Sequence, residues 1–109
     1  MPELPEVETT VKSLNILKNK KVINVDIHVK KLRYLVPHLD IKNIINYKIT
    51  NLRRIAKYII IEFDNDKSVI IHLGMSGRLK IVKPNVMLNK HDHLVFKFNN
   101  LKLIFNDPR

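Results

Sequence analysis

The chain opens Met1-Pro2-Glu3-Leu4-Pro5-Glu6, and its second residue is the first that could do chemistry. Initiator methionine is normally removed ahead of proline, and removal exposes Pro2 as a secondary amine. An α-amino group titrates near about 7.7–8.0, so a useful fraction is neutral and nucleophilic at physiological pH. Attack of such an amine on an aldehyde-like carbon gives an iminium cation, an electron sink. Glu3 is adjacent and Glu6 lies one helical turn further on. Paired carboxylates near an amine can move protons and stabilise the cation. Acids at a helix start also serve as simple partners for the positive end of its dipole. With Met1 retained, the Pro2 nitrogen is an amide without nucleophilicity. Local chemistry alone leaves both readings open.

Further along, Arg53 and Arg54 precede Lys57 in a short basic cluster suited to phosphates, or equally to a solvated strand face. Gly74 and Gly77, the only glycines, bracket Met75. That segment has the most irregular backbone expected of the chain, and a loop pinned by two glycines can present a long apolar side chain. A bare methionine is more often a core residue. His91 and His93 form a His-x-His pair. Two histidines with no cysteine or third ligand make a poor metal site. His72, at the end of an apolar strand, reads as structural.

Positioning these residues falls to one helix and a series of strands. Val7, Val11, Leu14 and Leu17 recur at helical spacing over residues 6–17. Pro5 suits the first turn, and Asn19-Lys20-Lys21 ends the helix. Residues 22–29 alternate, placing Ile23, Val25, Ile27 and Val29 on one buried face. Pro37 interrupts residues 34–45, with a helical turn possible after Asp40. Strands are expected near 48–54, 58–63, 68–72, 78–82, 94–98 and 102–105, with tight turns at Asp64-Asn65-Asp66 and Asn99-Asn100. The expected fold is mainly β, an antiparallel β-sandwich with the N-terminal helix packed against it, in one domain spanning residues 1–109.

Lys and Arg number 20 against 10 acids, a formal charge of +10. An excess of that size points to a polyanionic partner, nucleic acid before an anionic membrane surface. No cysteine is present, so this chain holds no disulfide, cysteine nucleophile or cysteine-ligated zinc. No run of 18 apolar residues occurs, and the acidic N-terminus is unlike a signal peptide. A cytoplasmic, monomeric protein without membrane association is expected.

Five segments, in order, resemble bacterial formamidopyrimidine-DNA glycosylase. They are Met1-Pro2-Glu3-Leu4-Pro5-Glu6-Val7-Glu8-Thr9, Arg53-Arg54-Ile55-Ala56-Lys57-Tyr58, His72-Leu73-Gly74-Met75-Ser76-Gly77, Lys90-His91-Asp92-His93 and Asn106-Asp107-Pro108-Arg109. The endonuclease VIII branch is less similar, having Gly where Leu4 stands. The resemblance implies excision of oxidised purines (8-oxoguanine, formamidopyrimidines) from duplex DNA, followed by β,δ-elimination at the abasic site. It makes Pro2 the Schiff-base nucleophile, Glu3 the proton donor and acceptor at the sugar, and Glu6 a support. Lys57 contacts phosphate beside the lesion. Met75 and Arg109 enter the duplex where the nucleotide is flipped out, and His91 and His93 lie near the DNA. No cofactor is implied in this chain. The zinc finger and helix-two-turn-helix of the family belong to a second half not contained in it, and an end on Arg109 straight after a strand and turn suggests truncation. Two other readings stand beside this one: a basic DNA-binding fragment without activity, and a β-sandwich interaction module.

Overall fold

In the computed structural model, residues 14–28, 41–56, 58–73 and 77–108 are described. Seven strands appear among them: β1 (Asn24–Ile27), β2 (Ile49–Ile55), β3 (Tyr58–Phe63), β4 (Ser68–His72), β5 (Arg78–Val82), β6 (Asp92–Lys97) and β7 (Lys102–Asn106). They form two antiparallel sheets, one ordered β1-β6-β7-β5 and the other β2-β3-β4. Leu94, Phe96, Leu103 and Phe105 from the first meet Leu52, Ile59, Ile61, Val69 and Ile71 from the second in one core. Burying each such side chain contributes about 1.5–3 kcal/mol. The expected antiparallel β-sandwich is therefore observed, and β2 to β5 and β7 fall within a residue of their expected bounds.

The consecutive apolar runs mark the middle strands. β6 and β7 are internal to their sheet, and Val95 and Ile104, cross-strand partners, are fully buried beside the core-facing Phe96 and Leu103. Strands covered on both faces read as continuous apolar stretches rather than as alternation. The Asp64-Asn65-Asp66 turn closes with Phe63 N–H donating to Lys67 C=O at 2.9 Å, and Asp66 takes the left-handed region at φ 65°. The Asn99-Asn100 turn closes through Phe98 N–H to Leu101 C=O at 2.9 Å.

The N-terminal helix and the start of β1 differ from expectation. Residues 6–13 of the expected helix lie outside the described residues. Its remaining stretch is a single 3-10 turn, Asn15–Leu17, with Leu14 and Leu17 buried in the core. Asn19, at φ 71°, ends it as a left-handed C-terminal residue. Just ahead of β1, Ile23 is exposed and Val22 buried, the reverse of the expected face. The strand pairing begins only at Asn24. Before it, Val22 exchanges hydrogen bonds with the 41–47 turn, its N–H donating to Tyr47 C=O and its C=O accepting from Asn46 N–H. Two-residue alternation therefore does not extend back to Ile23.

Candidate nucleic-acid interface

The strand directions bring separate loops to one end of the sandwich. β2 ends and β3 begins at the pair Ile55–Tyr58. Tyr58 is also opposite His72, the last residue of β4. In the other sheet, Arg78 opens β5 opposite Asn106, the last residue of β7. Asn106 also pairs with Asp92, the first residue of β6. The two sheets are tied at this end by Gly77 N–H donating to Leu73 C=O at 2.8 Å. The loops carrying the basic cluster, the glycine segment, the His-x-His pair and the chain's last residues therefore share one pole.

The β2–β3 hairpin turns in two residues, the first being Ala56 at φ 53°. Arg54 Nη1 donates to Ala56 C=O at 3.1 Å and clasps the turn. Arg53 points along the sheet surface, its Nε 3.2 Å from Glu62 Oε1, an oxygen that also accepts from Asn51 Nδ2 at 3.3 Å. Lys57, the second turn residue in the sequence, lies outside the described residues.

Gly77 is required by space. A Cβ there would collide with the Leu73 carbonyl oxygen and sit 2.9 Å from Phe105 Cε1. The hydrogen bond to Leu73 thus depends on a bare Cα, so that the segment carrying Met75 leaves and re-enters the fold at two points fixed to each other. Met75 itself, with Gly74 and Ser76, lies outside the described residues. Tyr58 and His72 stack beside this point with ring centroids 4.8 Å apart, a contact consistent with the structural role expected of His72.

The His-x-His segment divides. The register passes from Asp92–Asn106 to Leu94–Phe105, so His93 is the extra residue of a β-bulge. A bulge re-aims a side chain, and the His93 ring is buried at 8% exposure. Its Nε2 lies 2.5 Å from Asp107 C=O, so this nitrogen carries the proton and donates. Nδ1 has no hydrogen-bond partner among the described residues. His93 is turned into the fold, where it holds the strand end at Asp107. His91 is only half-buried. Its carbonyl accepts from Asp107 N–H at 3.1 Å, and its ring centroid is 6.4 Å from that of His93.

Sequence reasoning assigned no role to the residue that organises this corner, Asp92. Its carboxylate is buried. Oδ2 accepts from Asn89 N–H at 2.9 Å, and Oδ1 from Asn106 Nδ2 at 2.8 Å, with Lys80 Nζ 3.4 Å away. Burial alone would raise the carboxyl's pKa. The Asn89 and Asn106 hydrogen bonds and the Lys80 charge outweigh it and leave the group below the usual carboxylate value. Asn89 Oδ1 accepts from His91 N–H at 3.0 Å and from Asn106 Nδ2 at 3.2 Å. One network thus sets the loop before β6 against the end of β7. The Asn-x-x-Asp spacing of Asn89 and Asp92 was the available signal, since such side chains cap their own turn.

Pro2, Glu3, Glu6 and Arg109 lie outside the described residues. Among the described residues, no three of His, Cys, Asp and Glu gather into a metal-binding group, and no helix is long and apolar enough to cross a membrane.

A two-sheet antiparallel domain whose basic, glycine and histidine loops meet at one pole defines a class: a β-sandwich with a loop-built end suited to a polyanion. The chain belongs to the family described as formamidopyrimidine-DNA glycosylase N-terminal domain, whose model matches residues 1–109. It is 50% identical over 111 residues to the formamidopyrimidine-DNA glycosylase of Rickettsia massiliae, covering all of this chain and 40% of that protein. To the enzyme of that name from Acinetobacter baumannii it is 43% identical over 109 residues, covering 100% and 39%. A crystal structure of a complex between the Lactococcus lactis Fpg and DNA containing an abasic site superimposes with a TM-score of 0.90 at 32% identity, over 99% of this chain and 40% of that one. The chain therefore spans about two-fifths of the length of these relatives.

Proposed function

We propose that this chain is the nucleophile-bearing part of a base-excision DNA glycosylase and abasic-site lyase acting on oxidised purines in duplex DNA. The observation that carries the proposal is the meeting of four family-like loops at one pole of a domain belonging to that family. In this reading Glu3 handles the proton at the sugar as the damaged base leaves C1′, and Glu6 supports it. The Pro2 nitrogen takes the place of the base at C1′ and loses its proton, and the C1′–O4′ bond then opens with O4′ taking a proton from Glu3, giving an iminium. Loss of a C2′ proton then sends electrons out through the C3′–O bond, releasing the 3′ phosphate, and a second elimination releases the 5′ phosphate. Lys57, His91, Arg53 and Arg54 serve the phosphates, with His93 holding the strand end behind them. Met75 and Arg109 fill the gap left by the flipped nucleotide. Zinc has no place in this chain's share of the chemistry.

The N-terminal helix over residues 6–17, packed on the sandwich, belongs to the same reading. Support comes from its last two apolar positions, Leu14 and Leu17, which are 1% and 0% exposed. The site of action is the cytoplasm, at the nucleoid, and the protein is a monomer.

Borohydride trapping of the 109-residue chain on a duplex with an abasic site tests the proposal. A covalent band that is weakened in Pro2→Gly, from protein of verified mass lacking Met1, supports it. The chain spans two-fifths of its relatives, which favours a second reading, a DNA-binding fragment without lyase activity. Absence of a band with intact duplex binding selects that reading.

A further inference from the structure

We propose that the pole opposite the loop-built interface carries a second binding site, for a nucleoside monophosphate or the phosphorylated end of a DNA strand. An open cleft of about 470 Å³ lies there, lined by Lys20, Lys21, Ile23, Asn46, Asn99 and Asn100. That volume is within the range of small-molecule sites, about 300–1,000 Å³. None of the six belongs to the segments that build the candidate nucleic-acid interface.

The walls come from three segments cross-linked to each other and to the sheets. Asn19 N–H donates to Ile49 C=O at 2.7 Å, and Ile49 N–H to Lys20 C=O at 3.0 Å. Asn46 N–H donates to Val22 C=O at 2.7 Å, and Ile23 N–H to Lys97 C=O at 2.7 Å. Asn46 itself sits at φ 77°, a conformation asparagine tolerates better than most residues. The backbone of the cleft is thus fixed before any ligand arrives, which reduces the ordering cost of binding.

The lining chemistry selects the ligand. Two lysines line the cleft, and no carboxylate residue is among its described lining. Nearby acids are engaged elsewhere: Asp26 Oδ2 is 2.7 Å from Lys97 Nζ, and Asp64 Oδ1 accepts from Lys48 N–H at 3.0 Å. Among the described residues, Lys20 and Lys21 form no ion pair. Lys20 Nζ donates to Asn100 Oδ1 at 3.5 Å, which leaves the Asn100 amide N–H groups free to donate. Carboxamides donate and accept together, the pattern that reads the edge of a base. Ile23, 49% exposed, offers an apolar surface for a base or sugar. A phosphate for the lysines joined to a planar hydrogen-bonding body for the asparagines and Ile23 satisfies all six.

The test is a titration of the isotope-labelled 109-residue chain, monitored by two-dimensional NMR of its backbone and asparagine side-chain amides. Three probes are used separately at constant ionic strength: adenosine monophosphate, a short 5′-phosphorylated oligodeoxynucleotide, and sulfate. The expected result is saturable shifts at Lys20, Lys21, Ile23, Asn46, Asn99 and Asn100, confined to them with adenosine monophosphate and accompanied by shifts at the loop-built pole only with the oligonucleotide, with sulfate binding at least tenfold more weakly. The double variant Lys20→Gln/Lys21→Gln should weaken binding about tenfold or more, since charge-assisted contacts are lost, while Lys90→Gln at the other pole leaves it unchanged. Saturation by the monophosphate assigns the free nucleotide as source. Saturation by the oligonucleotide alone assigns a strand end. Equal shifts from sulfate and the nucleotide, shifts from the monophosphate scattered over the surface, or no saturation at the cleft residues with either the monophosphate or the oligonucleotide would each overturn the proposal. Because the trapping experiment reads the other pole, the two proposals fail independently.

Discussion

At Gly77 the constraint is steric and local. The position a Cβ would occupy overlaps the Leu73 carbonyl oxygen and lies 2.9 Å from Phe105 Cε1. Of these, the ring can yield only into a packed core and the carbonyl only by breaking the bond it accepts from Gly77. Gly77→Ala is expected to lower stability by about 1–3 kcal/mol, the range of an overpacked interior, read as a fall in the urea midpoint at unchanged slope. Unaltered stability would show that residues 73–77 can separate at no cost. Asp92 is the electrostatic counterpart. Its carboxyl is held below its ordinary value of 3.8 in the folded protein. A lowered folded value means that the charged form is favoured by folding. Its contribution is complete above the unfolded value near 3.8 and is lost as pH falls through the lower folded one. Asp92→Asn should lower stability at pH 7 by about 1–3 kcal/mol, because Asn89 N–H, Asn106 and Lys80 lose a charged acceptor. It should also flatten the acid limb of the stability–pH curve below about pH 4. An unchanged acid limb would mean that other carboxylates set it.

Elements form according to side-chain period, and the β2–β3 hairpin shows both what the sequence carries and what it hides. Ala56 at φ 53° is an alanine where glycine or asparagine is normal, and the left-handed region costs about 1–2 kcal/mol for a residue with a Cβ. Glycine recovers most of that and gives back some in unfolded-chain entropy, so Ala56→Gly is expected to stabilise by about 0.5–1 kcal/mol in thermal or urea unfolding. Destabilisation would show that the Arg54–Ala56 clasp depends on the side chain. The strands themselves were legible: 58–63, 68–72 and 78–82 have the expected bounds, because their apolar residues lie between turn-forming ones. Ile23 was not legible, because its position is set by hydrogen bonds from Val22 to a turn distant in sequence, at Asn46 and Tyr47. His93 was hidden for a similar reason. A bulge shifts the register by one residue, and no period in the sequence announces it. The motifs marked which loops matter, but their shared pole depends on the sheet order β1-β6-β7-β5, which is a property of non-local pairing.

On the scale of the whole molecule the dominant quantity is charge, +10 over 109 residues. That figure already counts every acid against a cation. Arg53, Lys80 and Lys97 are held in ion pairs, and exposed pairs contribute only about 0–1 kcal/mol each. The excess of cations over acids is available to phosphates. Association of the chain with undamaged duplex is therefore expected to be non-specific, with a Kd of about 10⁻⁴–10⁻⁶ M at physiological salt. It should fall with a log–log salt slope of about −0.9 per phosphate neutralised. The slope also locates the contact. Lys90, exposed beside His91, stands at the pole where the loops converge, whereas Lys20 and Lys21 stand at the other. Lys90→Gln should reduce the slope by about one, and Lys20→Gln/Lys21→Gln should leave it unchanged. The reverse pattern in a fluorescence-anisotropy salt series would put the duplex at the opposite pole, remove the loop-built end from DNA binding, and turn the cleft of Lys20 and Lys21 from a site for a strand end into the duplex contact itself.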